Sequence, residues 1–222
     1  MGIGRREFLR IFGATLVALA TPPTLAVAVL DDLYINRKLG LAFRRPAGWH
    51  FSDVQQMGEM LSGQILDLED AGLVQKIKEL TALPLVTLSQ EPLTHALRHF
   101  TPGVNMYVDR SVPEDTESEA QTVLSPLESF EWDMKYQGKI LKHFEVLSPL
   151  VATTVSECEA YEYSSAFLFE HANLAAPVRV RMRSVLIVQE PAWYTLRLHD
   201  SPYLGAQSTF DYSEFINSIW IV

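Results

Sequence analysis

The sequence predicts an α+β domain, a mainly antiparallel β-sheet flanked by helices in an α/β/α sandwich. Two long alternating segments, residues 157–170 and 178–189, follow one another across a short connection at 171–177 and read as a hairpin. A third strand, 193–199, follows after Glu190-Pro191-Ala192. Strands joined by short turns pair antiparallel, so the carboxyl half is a meander, and the helical periodicities elsewhere supply the flanking layers.

The elements follow in chain order. Residues 38–44 alternate as a strand and stop at Pro46-Ala47-Gly48-Trp49, a turn that delivers a tryptophan to the core edge. Ser52 or Asp53 then caps a helix, because Val54, Met57, Leu61, Ile65 and Leu68 recur at helical spacing. Leu73, Ile77 and Leu80 carry the pattern on to Pro84, as two short helices or one kinked at Gly63 or Gly72. Residues 85–88 and 104–108 read as strands, and Glu114, Asp115, Glu117 and Glu119 mark a solvated connection.

Ser125-Pro126-Leu127-Glu128 is the clearest local signal. The serine caps free amides, proline suits the first helical position, and glutamate three residues on returns a bond to the cap. The expected helix runs from Pro126 to about Gln137 with Leu127, Phe130 and Met134 on its buried side and Gly138 as a left-handed stop. A strand at 144–147 leads into the hairpin. The chain closes with a helix from about Asp211, whose Phe215, Ile216, Ile219 and Trp220 share a face.

The amino terminus reads as an export address. Gly4-Arg5-Arg6-Glu7-Phe8-Leu9-Arg10 sets Arg5 and Arg6 before Phe8 and Leu9, an uncharged stretch follows, Pro22-Pro23 breaks any helix, and Ala26-Val27-Ala28 suits a signal peptidase. This resembles a bacterial twin-arginine signal with Gly4 where Ser or Thr is usual. The expected organisation is a signal peptide at 1–28 and one domain at 29–222, in the periplasm. An uncleaved anchor is the alternative, which would put the chain in contact with the membrane, but adjacent prolines would break its helix where lipid offers no hydrogen-bond partner.

Removing residues 1–28 takes away Arg5, Arg6, Arg10 and Glu7, leaving 15 bases against 26 acids and a net charge of −11. Such a chain repels nucleic acid and anionic lipid. Its 48% apolar content and eight tyrosines are those of a folded domain. Cys158 is the single cysteine, so there is no intrachain disulfide, no CxxC pair and no thiolate cage for zinc.

A strand with an aromatic near its start, the Pro46–Trp49 turn, the hairpin opening Glu159-Ala160-Tyr161-Glu162-Tyr163 and the closing Phe215-Ile216-Asn217-Ser218-Ile219 together resemble the PsbP-like fold. The same fold is used by a nuclear factor that releases nucleotide from Ran. The resemblance covers residues 34–51 and 157–220 and leaves 52–80 unmatched. It implies a small extracytoplasmic protein that docks to larger complexes, whether in the periplasm or a thylakoid lumen. It carries no catalytic site with it.

Three groups of side chains are candidates for function. Glu91, His95 and His99 would lie on one helical face and present metal ligands, or else form an exposed turn. Arg179, Arg181 and Arg183 share one face of a strand and would bind an anion or an acidic protein partner, unless acids such as Glu162 and Glu170 on neighbouring strands neutralise them. Tyr161, Tyr163, Phe167 and Phe169 form an aromatic face that suits core packing or an apolar ligand cavity. The sequence has no Gly-x-Ser-x-Gly elbow, phosphate-cradling glycine loop, His-Glu-x-x-His or haem motif. The reading is therefore a cofactor-free, non-enzymatic protein that binds a protein partner or assists assembly of an envelope or membrane complex. A metal- or cofactor-dependent enzyme and a carrier of a small apolar ligand are the alternatives.

Overall fold

A computed structural model describes residues 27–52, 54–68, 72, 74, 83–93, 99–110, 124–190, 192–202 and 211–221. The chain divides into two compact units, Met1–Ala47 with Phe210–Val222, and Gly48–Thr209. The twin arginines lie outside the described residues.

In the first unit, β1 (Val27–Leu30), β2 (Leu33–Asn36), β3 (Leu41–Arg44) and β12 (Trp220–Ile221) form an antiparallel sheet in the order β1-β2-β3-β12. The expected cleavage point after Ala28 falls inside β1, where Ala28 pairs with Ile35 and Val29 with Tyr34. Asp31, at φ 54, makes the tight β1–β2 turn, and Arg44 Nη1 donates to both Asp32 carboxylate oxygens at 2.9 Å. Leu33, Ile35 and Ala42 form a core cluster against Trp220. The closing helix is short. Asp211 caps α3 (Tyr212–Asn217) by accepting from Ser213 N, and Phe43 meets Phe215 edge-on at 5.4 Å. Trp220 is thus a strand residue paired with Ala42 and not a fourth member of a helical face.

The second unit holds an eight-stranded sheet. β4 (His50–Ser52), β6 (Val86–Ser89), β7 (Gly103–Arg110), β11 (Ala192–Asp200), β10 (Val178–Gln189) and β9 (Cys158–His171) lie side by side in that order. Both β8 (Lys142–Val155) and the two-residue β5 (Gln64–Ile65) pair with β9 beyond it. Every pairing is antiparallel, and β8 to β11 form the predicted meander.

The Pro46–Trp49 turn is present, with Gly48 at φ 77 and Trp49 buried. So is the capping box. Ser125 Oγ accepts from Glu128 N, Ser125 N donates to Glu128 Oε2 at 2.8 Å, and Pro126 opens α2 (Pro126–Ile140). The bonds to Ser125 hold the Glu128 carboxyl below its ordinary pKa. Phe130 is the helix's anchor, buried with Tyr163 and Leu186 in a cluster that Met134, Leu150 and Trp193 flank. An aromatic side chain buried there contributes about 3 kcal/mol.

Two further expectations are corrected. Gly138 does not stop α2. Leu141 N still bonds to Gln137 O at 2.9 Å, and the helix ends at a Leu141 cap of φ −96 and ψ 129. The helix beginning at α1 (Val54–Gly63) does not run on through Ile65, which pairs in β5 with Glu170 and stands 45% exposed. Gly63 marks the switch, because a Cβ there would overlap the His171 imidazole and its carbonyl accepts from Ala172 N at 2.9 Å. Leu73, Ile77 and Leu80 lie outside the described residues.

Candidate functional site

Alternation along β11 places Trp193, Thr195, Arg197 and His199 on one face of the second unit's sheet while Tyr194, Leu196 and Leu198 are buried on the other. The register brings Arg197 opposite Asn105 of β7 and Ser184 of β10, and His199 opposite Gly103 and Met182. A cavity of about 190 Å³ lies over this face, bounded also by Met60, Leu66, Leu93, Phe100 and the carboxyl end of α2.

The cavity has an apolar end and a polar end. Phe167, Phe169 and Met182 belong to a cluster that Phe100, Leu141 and Phe144 flank, with the Phe100 and Phe169 rings 6.0 Å apart. At the polar end, Arg197 Nη2 donates to both carboxylate oxygens of Asp133 at 2.8 Å, and its Cζ lies 5.0 Å from the Tyr107 ring centroid. Gln137 Nε2 donates to Asp133 Oδ2 at 2.6 Å, and Thr87 Oγ1 donates to Asn105 Oδ1 at 3.0 Å. Beyond Gln137 and Arg197, between α2 and the sheet, runs an open groove of about 630 Å³ bordered by Leu83, Trp132, Tyr136 and Trp193.

The electrostatics of this site favour holding over reacting. Burial opposes the Arg197 charge, yet Asp133, with Tyr107 and Tyr163, outweighs it and raises the guanidinium pKa. Burial raises the Tyr107 and Tyr163 hydroxyls, and burial also raises Asp109. Burial first, and then Arg197, pushes His199 down to about 3. An imidazole with that pKa is neutral at physiological pH and too weak a base for general base catalysis there.

The sequence-predicted groups lie elsewhere. Each arginine of the β10 face has a carboxylate partner. Arg181 Nε and Nη2 donate to Asp200 at 3.0 and 2.7 Å, Arg183 Nε and Nη2 to Glu162 Oε2 at 3.1 and 2.6 Å, and Arg179 pairs with Glu145 and donates to His143 O at 2.9 Å. Glu170 pairs instead with Lys142, at 2.7 Å. Glu91 and His99 do meet, Oε2 to Nε2 at 2.6 Å with both side chains more than half exposed, while His95 lies outside the described residues. Among the described residues no three His, Cys, Asp or Glu side chains are placed to share a metal.

Burial first and Glu157 second raise the Cys158 thiol, which contacts Gln189 Oε1 at 3.2 Å and stays protonated. The aromatic face of β9 is partly as expected: Tyr163, Phe167 and Phe169 are buried and Tyr161 is half-buried. The opposite parity is buried as well, at Cys158, Ala160 and Ala166. Arg197 and His199 were missed as a site, although their shared parity with Thr195 was a usable signal.

No protein-family model and no curated protein matches the sequence. Among solved structures, the chain is similar to cyanobacterial PsbP from Synechocystis sp. PCC 6803, with a TM-score of 0.50 and 11% identity over 92% of this chain and 99% of that one. It is also similar to LpqN of Mycobacterium tuberculosis, described as involved in cell envelope biogenesis, at TM-score 0.47 and 11% identity over 82% and 83% of the two chains. A Pseudomonas aeruginosa protein of unknown function aligns at TM-score 0.33 and 15% identity, over 46% of this chain and 60% of that one. The likeness to cyanobacterial PsbP is one of fold, and this chain has the PsbP-like α+β fold.

Proposed function

We propose that the chain is an exported, non-enzymatic protein that binds a polypeptide partner and assists assembly of an envelope or membrane complex. One observation carries the reading: the exposed aliphatic side chains of β8. Val146, Leu147 and Val151 are each 48% exposed on a strand that, among the described residues, pairs with β9 alone. A strand with one open edge and unburied aliphatic side chains accepts an extended segment, whose main chain continues the ladder and whose apolar side chains cover those of β8. The export step rests on Arg5, Arg6, Phe8 and Leu9. Arg179, Arg181 and Arg183 take part only where a partner's acids replace their present carboxylates, so they are the secondary contact in this reading.

A photo-cross-linker at Leu147 in intact cells tests it, with one at the exposed Lys135 as the control. The expected result is a discrete adduct from position 147 that is lost when Val146 and Val151 are replaced by serine. Recovery of the monomer alone from both positions overturns the proposal.

A further inference from the structure

We propose that the cavity over β11 is a binding site for a small, uncharged, mostly apolar molecule bearing one hydroxyl or carboxamide group. The size argues first. A dry apolar cavity of about 150 Å³ takes up benzene. At about 190 Å³, lined at one end by Phe100, Phe167, Phe169 and Met182, this cavity suits a substituted aromatic ring or a short branched chain.

The polar end selects the functional group. Gln137 is 4% exposed and lines the cavity, and its Oε1 makes no hydrogen bond to a protein group. Arg197 lines it too, and its Nε is buried without one. A ligand group that meets both makes two hydrogen bonds that no protein group supplies. A hydroxyl or carboxamide donates to the first and accepts from the second. Formal charge is selected against on both sides. An anion finds the Arg197 guanidinium already engaged by both oxygens of Asp133, and a cation meets that same guanidinium. His199, neutral on the cavity wall, adds no charge of its own. The exposed Val146, Leu147 and Val151 of β8 do not line the cavity, so the inference does not rest on what that strand binds.

The test titrates the full protein with p-cresol and with toluene while following the methyl resonances of Met60 and Met182 by NMR. Both probes should shift those resonances, with p-cresol binding about tenfold tighter, as expected for a hydrogen bond to groups otherwise unpaired. Gln137→Leu should retain toluene and lose most of the preference for p-cresol. Leu93→Trp, which fills the space, should abolish both responses. Unmoved methyl resonances with either probe, or equal affinities for the two probes in the unsubstituted protein, overturn the proposal.

Discussion

β8 and β10 flank the same strand and have similar lengths, 14 and 12 residues, yet they leave opposite kinds of side chain in water. β10 alternates arginine with Val178, Val180 and Met182, and the sheet settles both halves: the apolar side chains are buried and the arginines meet Glu145, Asp200 and Glu162. β8 changes register between Lys142 and Glu145, between Val146 and Ser148, and between Ser148 and Val151. Each irregularity resets which side chains point inward, so Val146 and its neighbour Leu147 are both left half-exposed. Unpaired charge looks like a binding surface in a sequence, but here the charge is neutralised within the sheet and the apolar surface is what remains uncovered.

Substitutions on the two strands should separate them most sharply. Val180→Asp places an unpaired carboxylate at a fully buried site and should cost about 4 kcal/mol or more, whereas Val146→Asp should change stability by no more than about 0.5 kcal/mol. Urea denaturation reads both, and equal costs would erase the contrast.

The β11 strand beside β10 gives the next effect. His199 stays neutral in the folded protein down to about pH 3, whereas an unfolded histidine protonates near 6.5. The contribution is therefore fully present above pH 6.5 and declines as the pH falls from there toward 3. Between pH 6 and pH 4 stability should drop by about 1 kcal/mol per pH unit from this group alone, and His199→Gln should flatten that slope. Thermal denaturation across this range checks it.

Within the arginine face the effects should differ again. Arg181→Ser strands Asp200, whose side chain is 3% exposed, and should cost about 2 kcal/mol. Arg179→Ser leaves Glu145 at 56% exposure, free to hydrate, and should cost no more than about 0.5 kcal/mol. Equal losses would mean that the cross-strand pairs do not account for the face.

Local chemistry was legible where local chemistry decides the outcome. Ser125 to Glu128 specifies its cap without help, and strong alternation announced the hairpin strands β9 and β10, with β11 next to them. Tertiary requirements were not legible. Ile65 fits a helical period, but His171 demands a glycine at 63 and the chain turns into a strand. Four residues at β2, Leu33–Asn36, are too short a run to stand out so near a segment that reads as a leader. The cavity draws Met60, Leu93, Gln137, Met182 and Arg197 from five different segments, so no spacing in the chain could foreshadow it.

The pairing of β7 with β11 sets an order of events in folding. Val104 meets Leu198, and Arg110 meets Ala192. The hairpins from β8 to β11 close over short turns, but joining them to β7 means closing a far longer loop, which costs more chain entropy and comes later. A ribosome making this chain releases β4, β6 and β7, which pair with one another, well before β11 exists, so this part of the second unit's sheet must wait with its β7 edge open until β11 arrives.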